Sequence, residues 1–301
     1  MKAIPLLSLA LAIFTQPALA DDYYLFYLGG QSNMDGYGYA SELPDSLAGP
    51  VSGVMIFHGN TAEDDTSSAD GRGIWTILRP GHGVGFKSDG KTNTYADRFG
   101  VELTFARRLL QLRPDARIAI VKYSRGGTSI DTLARNSGGT WDPDFTGKTG
   151  INQYDHFLAT VRNAHSVRDI DGDGTEDRLI PAAIIWMQGE SDGNGAEPAA
   201  RYLANLNRLM DLVRAALRTD DLPVVIGKIT DSGRDDNDGL VWDQGDLIRQ
   251  AQENFVRSDV RATIVRSTEK YGYSDKWHYN SAGYIDLGIE FAEAVSSLMD
   301  P

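Results

Sequence analysis

Tyr23-Tyr24-Leu25-Phe26-Tyr27-Leu28-Gly29-Gly30-Gln31-Ser32-Asn33-Met34 decides the fold of this chain. The first six residues are aromatic and apolar, with the length and composition of a strand. Gly29-Gly30 then permits a turn too tight for a side chain, leaving Ser32 at the carboxyl edge of the sheet that the strand joins. A Gly-Ser-Asn turn after a strand is common in its own right. Here it points to a nucleophile because later stretches supply what a serine nucleophile needs.

Working outward, 117–123 is a second buried strand, rich in Ile and Val, running into Ser124-Arg125-Gly126-Gly127-Thr128-Ser129. A third, 182–187, leads into Gln188-Gly189-Glu190-Ser191-Asp192. Segments 223–229 and 262–265 are the fourth and fifth, and 54–57 is a shorter candidate. Apolar residues at helical spacing predict helices over 100–112, 152–167, 198–217, 247–256 and 282–299. Alternating strands and helices imply parallel pairing through right-handed crossovers. The expected fold is α/β: a three-layer α/β/α sandwich around one five-stranded parallel sheet, as a single domain over 21–301. Residues 58–99 show little periodicity and much Gly, Asp, Ser and Thr, so they read as a long loop at the lip of a binding site. Trp75, His82, Phe86 and Tyr95 are available to line it, and Trp141 is a further candidate wall.

Residues 1–20 read as a cleaved secretory signal: Met1-Lys2, an apolar run from Ala3 to Phe14, then small residues at Ala18 and Ala20 before Asp21. The apolar run is short for a membrane anchor. A secreted or periplasmic location follows as the expectation. The mature chain of about 281 residues is long enough to bury a large core without staples. With no cysteine, disulfides, thiol catalysis and thiolate metal sites are all excluded. The net charge of −13 argues against nucleic acid and anionic membranes as partners.

In a parallel sheet the loops leaving the carboxyl ends of strands converge on one edge. Three of those loops carry Ser32, Gly126-Gly127 and Gln188, and a fourth carries Asp275-Lys276-Trp277-His278. Serine needs a base to take its proton, and histidine needs a carboxylate to orient it. Asp275 and His278, three residues apart, can meet that need. The developing oxyanion also needs donors, and the amides of Ser32 and Gly127 and the side chain of Gln188 are the candidates.

Gly30-Gln31-Ser32-Asn33-Met34, Gly127-Thr128-Ser129-Ile130, Trp186-Met187-Gln188-Gly189-Glu190-Ser191-Asp192 and Asp275-Lys276-Trp277-His278 together resemble the conserved blocks of the SGNH hydrolase superfamily. Within it they are most similar to the sialate O-acetylesterase-like branch, which includes acetylxylan esterases. Gly100-Val101-Glu102-Leu103-Thr104-Phe105 resembles a helix-entry block of that branch. The resemblance implies a Ser32, His278, Asp275 triad and an oxyanion hole from Ser32, a glycine of the second block and Gln188. Gly126 is the alternative to Gly127, and Glu190 is a candidate support for His278.

Asp169-Ile170-Asp171-Gly172-Asp173-Gly174-Thr175-Glu176-Asp177 is a separate signal. Acids at positions 1, 3, 5 and 9, glycine at 6 and a Thr175 carbonyl at 7 match an EF-hand calcium loop, although Ile180 stands at position 12 where a glutamate belongs. The alternative is a solvated acidic turn. A structural Ca²⁺ on Asp169, Asp171, Asp173, Thr175 and Asp177 is expected, with no cofactor for catalysis. The expected activity is hydrolysis of O-acetyl esters on an acetylated oligo- or polysaccharide. The alternatives are a lipase-like esterase for other acyl chains and a carbohydrate-binding relative without turnover.

Overall fold

The computed structural model describes residues 20–59 and 70–299. The expected leader therefore lies outside the described residues, save for Ala20. The central sheet has seven strands: β1 Asp22–Gly30, β2 Val54–His58, β3 Trp75–Ile77, β4 Arg117–Ser124, β5 Arg178–Met187, β6 Val224–Gly227 and β7 Ala262–Val265. Their order is β7-β6-β5-β1-β4-β2-β3, parallel except for β3. Six α-helices lie among the described residues: α1 Ser32–Asp35, α2 Glu102–Leu112, α3 Gln153–Ser166, α4 Ala196–Ala216, α5 Gly245–Ser258 and α6 Ser281–Met299. None is long and apolar enough to cross a membrane.

Consecutive residues of β1 point to opposite faces, yet Phe26, Tyr27 and Leu28 are all fully buried. Helices therefore cover both faces of the sheet, giving the expected three layers. The strand count of five is corrected to seven. β2 is the short candidate, docked parallel to β4 from Val54↔Ile118 to His58↔Lys122. β3 has three residues in a Gly- and Asp-rich segment and pairs antiparallel at the sheet edge, too short to show a period. β5 carries Pro181 in the middle of the sheet. The register shifts there, between Leu25↔Pro181 and Phe26↔Ala183, and this irregularity is what accommodates a residue lacking an N–H.

The rings expected at the lip divide into two groups. The Trp75 indole donates to the Ala164 carbonyl at 3.0 Å. His82 and Phe86 are buried, and Phe86 stacks with both His58 and His82, at 4.2 and 4.8 Å between ring centres. Tyr95 packs under Arg79 and edge-on to His82. Trp141 is fully buried against Tyr123 and Trp186. His82, Phe86 and Trp141 had neighbours to join and pack into the body of the molecule, while Trp75 and Tyr95 stay half-buried and line a cavity that does not include Ser32.

Candidate active site

The register of β1 lines up three strand ends. Gly30 pairs with Met187 on one side and Ser124 on the other, so the three loops that follow emerge side by side. This is where the strand order reverses, the position at which open α/β sheets form a crevice. Gly30 has φ +140, and a Cβ there would fall onto the Met187 carbonyl oxygen. That close approach lets Gln31 N–H bond Met187 O at 2.9 Å and swings the chain directly into the turn bearing Ser32. The turn's own hydrogen bonds use the N–H groups of Gln31, Met34, Asp35 and Gly36, not that of Ser32.

The late loop closes on this turn. His278 Nδ1 lies 2.7 Å from Asp275 Oδ2. Asp275 Oδ1 accepts from the N–H groups of Trp277 and His278 at 2.7 and 2.8 Å, so one carboxylate both shapes the loop and holds the ring. The imidazole stacks on Tyr37 with 3.5 Å between ring centres and 6° between planes. Burial raises the Asp275 pKa, but the hydrogen bonds from His278 and the two backbone amides outweigh it and hold the carboxyl below its ordinary range. Burial is the largest influence on His278 and lowers its pKa, with the Asp275 contact opposing it.

Asn33 joins the two pieces. Its Nδ2 donates to Glu190 Oε1 at 2.8 Å and to Trp277 O at 3.2 Å, while its Oδ1 accepts from Tyr284 at 2.7 Å and Tyr279 N at 3.4 Å. Glu190 is buried, with Oε2 lacking a partner among the described residues, and burial raises its pKa. Its carboxylate meets Asn33, so it steadies the histidine loop through that amide.

Gln188 is placed otherwise than expected. Its Nε2 has two N–H bonds to give, and the Asp192 carboxylate at 2.6 Å and the Thr128 carbonyl at 3.1 Å lie within their reach. Its Oε1 accepts from Tyr202 at 3.1 Å, and the side chain is wholly buried. In this arrangement Gln188 braces the loops, and it is not among the residues that line the cavity holding Ser32. Asp192 also accepts from the amides of Ile130 and Asp131 at 3.0 and 3.1 Å, so Gln188 and Asp192 clamp the second glycine loop to the end of β5. Burial is the main influence on Asp192 and pushes its pKa up to about 7.

Ser32, Gly126, Gly127 and His278 line one cavity of 520 Å³, together with Arg125, Asn136, Trp242 and Trp277. Gly127 has φ +71, and a Cβ there would come within 2.5 Å of Asn136 Nδ2, which makes Asn136 the side-chain amide beside the glycine loop. Beneath the site, buried Lys122 gives its three N–H bonds to Glu102 Oε2, Asp35 O and His82 O at 2.8, 2.8 and 2.7 Å. Sequence reasoning missed this pair, although a lysine in the apolar run Ile118-Ala119-Ile120-Val121-Lys122 signals a buried cation in need of a carboxylate.

The acidic loop lies between α3 and β5. Ligand oxygens of Asp169, Asp171 and Asp177 fall within 4.8 Å of one another, and Asp173 groups instead with Asp171 and Asp21. Asp177 Oδ1 is buried with no partner among the described residues, which fits a cation. The loop's own amides occupy much of the rest: Asp169 accepts from Gly172 and Gly174, and Asp173 from Thr175 N. Asp171 also accepts from Tyr23 at 2.8 Å.

A family model for carbohydrate esterases, sialic acid-specific acetylesterases, matches residues 22–297. The probable carbohydrate esterase At4g34215 of Arabidopsis thaliana is 29% identical over 115 residues, 38% of this chain and only 40% of that protein's length. The X-ray structure of the Arabidopsis thaliana protein AT4G34215 has a TM-score of 0.63 at 22% identity, covering 93% of this chain and 99% of that one. XAC1771, a carbohydrate acetylesterase from Xanthomonas citri, gives 0.60 at 16% identity over 92% of this chain and 56% of its own. NanS gives 0.59 at 19%, over 93% and 98%. These structural likenesses show a shared fold. With the family match spanning nearly all the residues after the expected leader, the chain belongs to the carbohydrate esterase family of sialic acid-specific acetylesterases.

Proposed function

We propose that residues 21–301 form one exported serine esterase unit that removes O-acetyl groups from carbohydrates through an acyl-enzyme. The observation that carries this reading is the 2.7 Å Asp275–His278 contact opening onto the same cavity as Ser32. His278, its Nδ1–H held by Asp275, takes the Ser32 proton at Nε2 as Oγ attacks the acetyl carbonyl. The sugar oxygen leaves with that proton, and water then releases acetate by the same exchange in reverse. The backbone amides of Ser32 and the Gly126-Gly127 turn receive the oxyanion, with Asn136 as the adjoining side-chain donor. Chemistry at this site needs no cofactor. A Ca²⁺ ion on Asp169, Asp171 and Asp177, with Asp173 and the Thr175 carbonyl nearby in sequence, serves stability. The test is acetate release from acetylated sugars by wild type and Ser32→Ala. Loss of turnover in a folded Ser32→Ala enzyme is expected, and wild-type-like turnover overturns the mechanism.

A further inference from the structure

The 520 Å³ cavity over Ser32 does not end at the histidine. A second cavity of 510 Å³ shares Asn194, Trp242 and Trp277 with it as a common wall. Each volume falls in the range of small-ligand sites. Both tryptophans stand on pinned backbone. Trp277 N is held by Asp275 and its carbonyl by Asn33, yet the residue remains 47% exposed. Trp242 N is held by Asp231 Oδ2 at 2.9 Å, and Asp231 Oδ1 takes Gly233 N and Val241 N, closing the 231–242 loop. That loop is in turn latched to the histidine loop by Ser232 Oγ on Lys276 O and by the Lys276–Asp235 ion pair. A large aromatic surface fixed in place and left open to solvent is a platform for a ring.

The charges of the two cavities differ. The first holds one carboxylate, Asp35, and one guanidinium, Arg125. The second is lined by Asp235, Asp238 and Asp243 against Lys276 alone, and Lys276 is already paired with Asp235. Carboxylates accept hydrogen bonds from sugar hydroxyls and repel a carboxylate sugar. We propose that the enzyme takes a neutral O-acetylated oligosaccharide, with the acetylated unit over Ser32 and at least one further unit on Trp242 and Trp277 in the carboxylate-lined cavity. This rests on the esterase reading above and selects, within it, neutral chains over acetylated sialic acid.

The experiment measures kcat/KM for acetate release from acetylated xylotriose, acetylated xylose and an O-acetylated sialic acid, with 4-nitrophenyl acetate alongside. The trisaccharide is expected to exceed the monosaccharide by roughly tenfold or more, and Trp242→Ala to remove about that factor, equivalent to about 1.4 kcal/mol of lost contact. Asp238→Lys/Asp243→Lys, two exposed positions whose replacement spares the core, is expected to raise turnover of the sialic acid ester relative to the trisaccharide. In wild type, raising salt from about 0.01 M to 1 M cuts the Debye length from roughly 30 Å to 3 Å and should narrow the gap between the anionic and neutral substrates. Equal rates on mono- and trisaccharide, or a wild-type preference for the sialic acid ester, overturn the proposal while leaving the esterase reading intact. Turnover of 4-nitrophenyl acetate with none of the sugars overturns the carbohydrate reading and the proposal with it.

Discussion

Asp275→Asn isolates the orientation of the base from the folding of its loop. An asparagine keeps an acceptor where Asp275 Oδ1 receives the Trp277 and His278 amides, so the turn survives. The change falls on the other oxygen, 2.7 Å from His278 Nδ1. An NH₂ group there makes Nδ1 an acceptor and moves the ring proton to Nε2, the atom that must receive the Ser32 proton. A wrong tautomer of this kind costs about 10⁴ in kcat, or about 5.4 kcal/mol of barrier at 1.36 kcal/mol per factor of ten. The assay is acetate release at saturating substrate, with a thermal melt on the same preparation. The pH profile supplies a second readout. Activity needs neutral His278, and burial lowers its pKa, so the acid limb of kcat/KM falls away only below the ordinary value of about 6.5. Asp275 is the group raising that pKa, so Asp275→Asn should move the limb to still lower pH. A folded Asp275→Asn enzyme within roughly tenfold of wild type would refute the assignment of His278 as a base held by Asp275.

Gln188→Ala should cost about 1–3 kcal/mol of stability and lower the melting temperature, because it leaves the buried Asp192 carboxylate one donor short, with only the Ile130 and Asp131 amides. Its kcat measured well below the melt should fall by less than the roughly 10²–10³ of a lost oxyanion donor, and a larger fall would restore the oxyanion role. Glu102→Gln leaves the Lys122 ammonium buried without its counter-charge and should cost about 3–5 kcal/mol in urea unfolding. An unfolding midpoint equal to wild type would show that the Asp35 and His82 carbonyls suffice. Calcium at a hundredfold excess over its Kd should add about 2.7 kcal/mol of stability. Chelator or Asp171→Ala/Asp173→Ala should abolish that gain, and identical melts in all conditions would leave an acidic turn.

The strand ends and the residues on them were legible because each is a local signal. Tyr23–Leu28 is an apolar run, Gly29-Gly30 closes it, and Asp275 and His278 sit within one loop. What escaped depends on contacts between distant segments. Nothing near Asn33 announces that it bonds Trp277 and Tyr279, 244 and 246 residues further on. Gln188 carried the pattern of an oxyanion donor, yet its amide is drawn inward by Asp192, only four residues away but turned to the same side by the loop. Trp75 and Trp141 were read as site walls from loop composition alone, whereas Trp242 and Trp277, in loops pinned by Asp231 and Asp275, are the ones that line the cavity.

The brace at Asn33 has a bearing on when activity first exists. All seven strands have been made once the chain has reached Val265, but the proposed base His278, Asp275 beside it and the Trp277 carbonyl that Asn33 grips all come later. In a chain emerging in order from the ribosome, Ser32 is therefore made long before anything proposed to deprotonate it. On the proposed mechanism, competence needs the last helix as well, because Tyr284 on α6 donates to the Asn33 that ties the histidine loop to the serine turn. An unfinished or clipped chain lacks this brace and, with it, the part of the core that Leu287, Phe291 and Val295 of α6 fill.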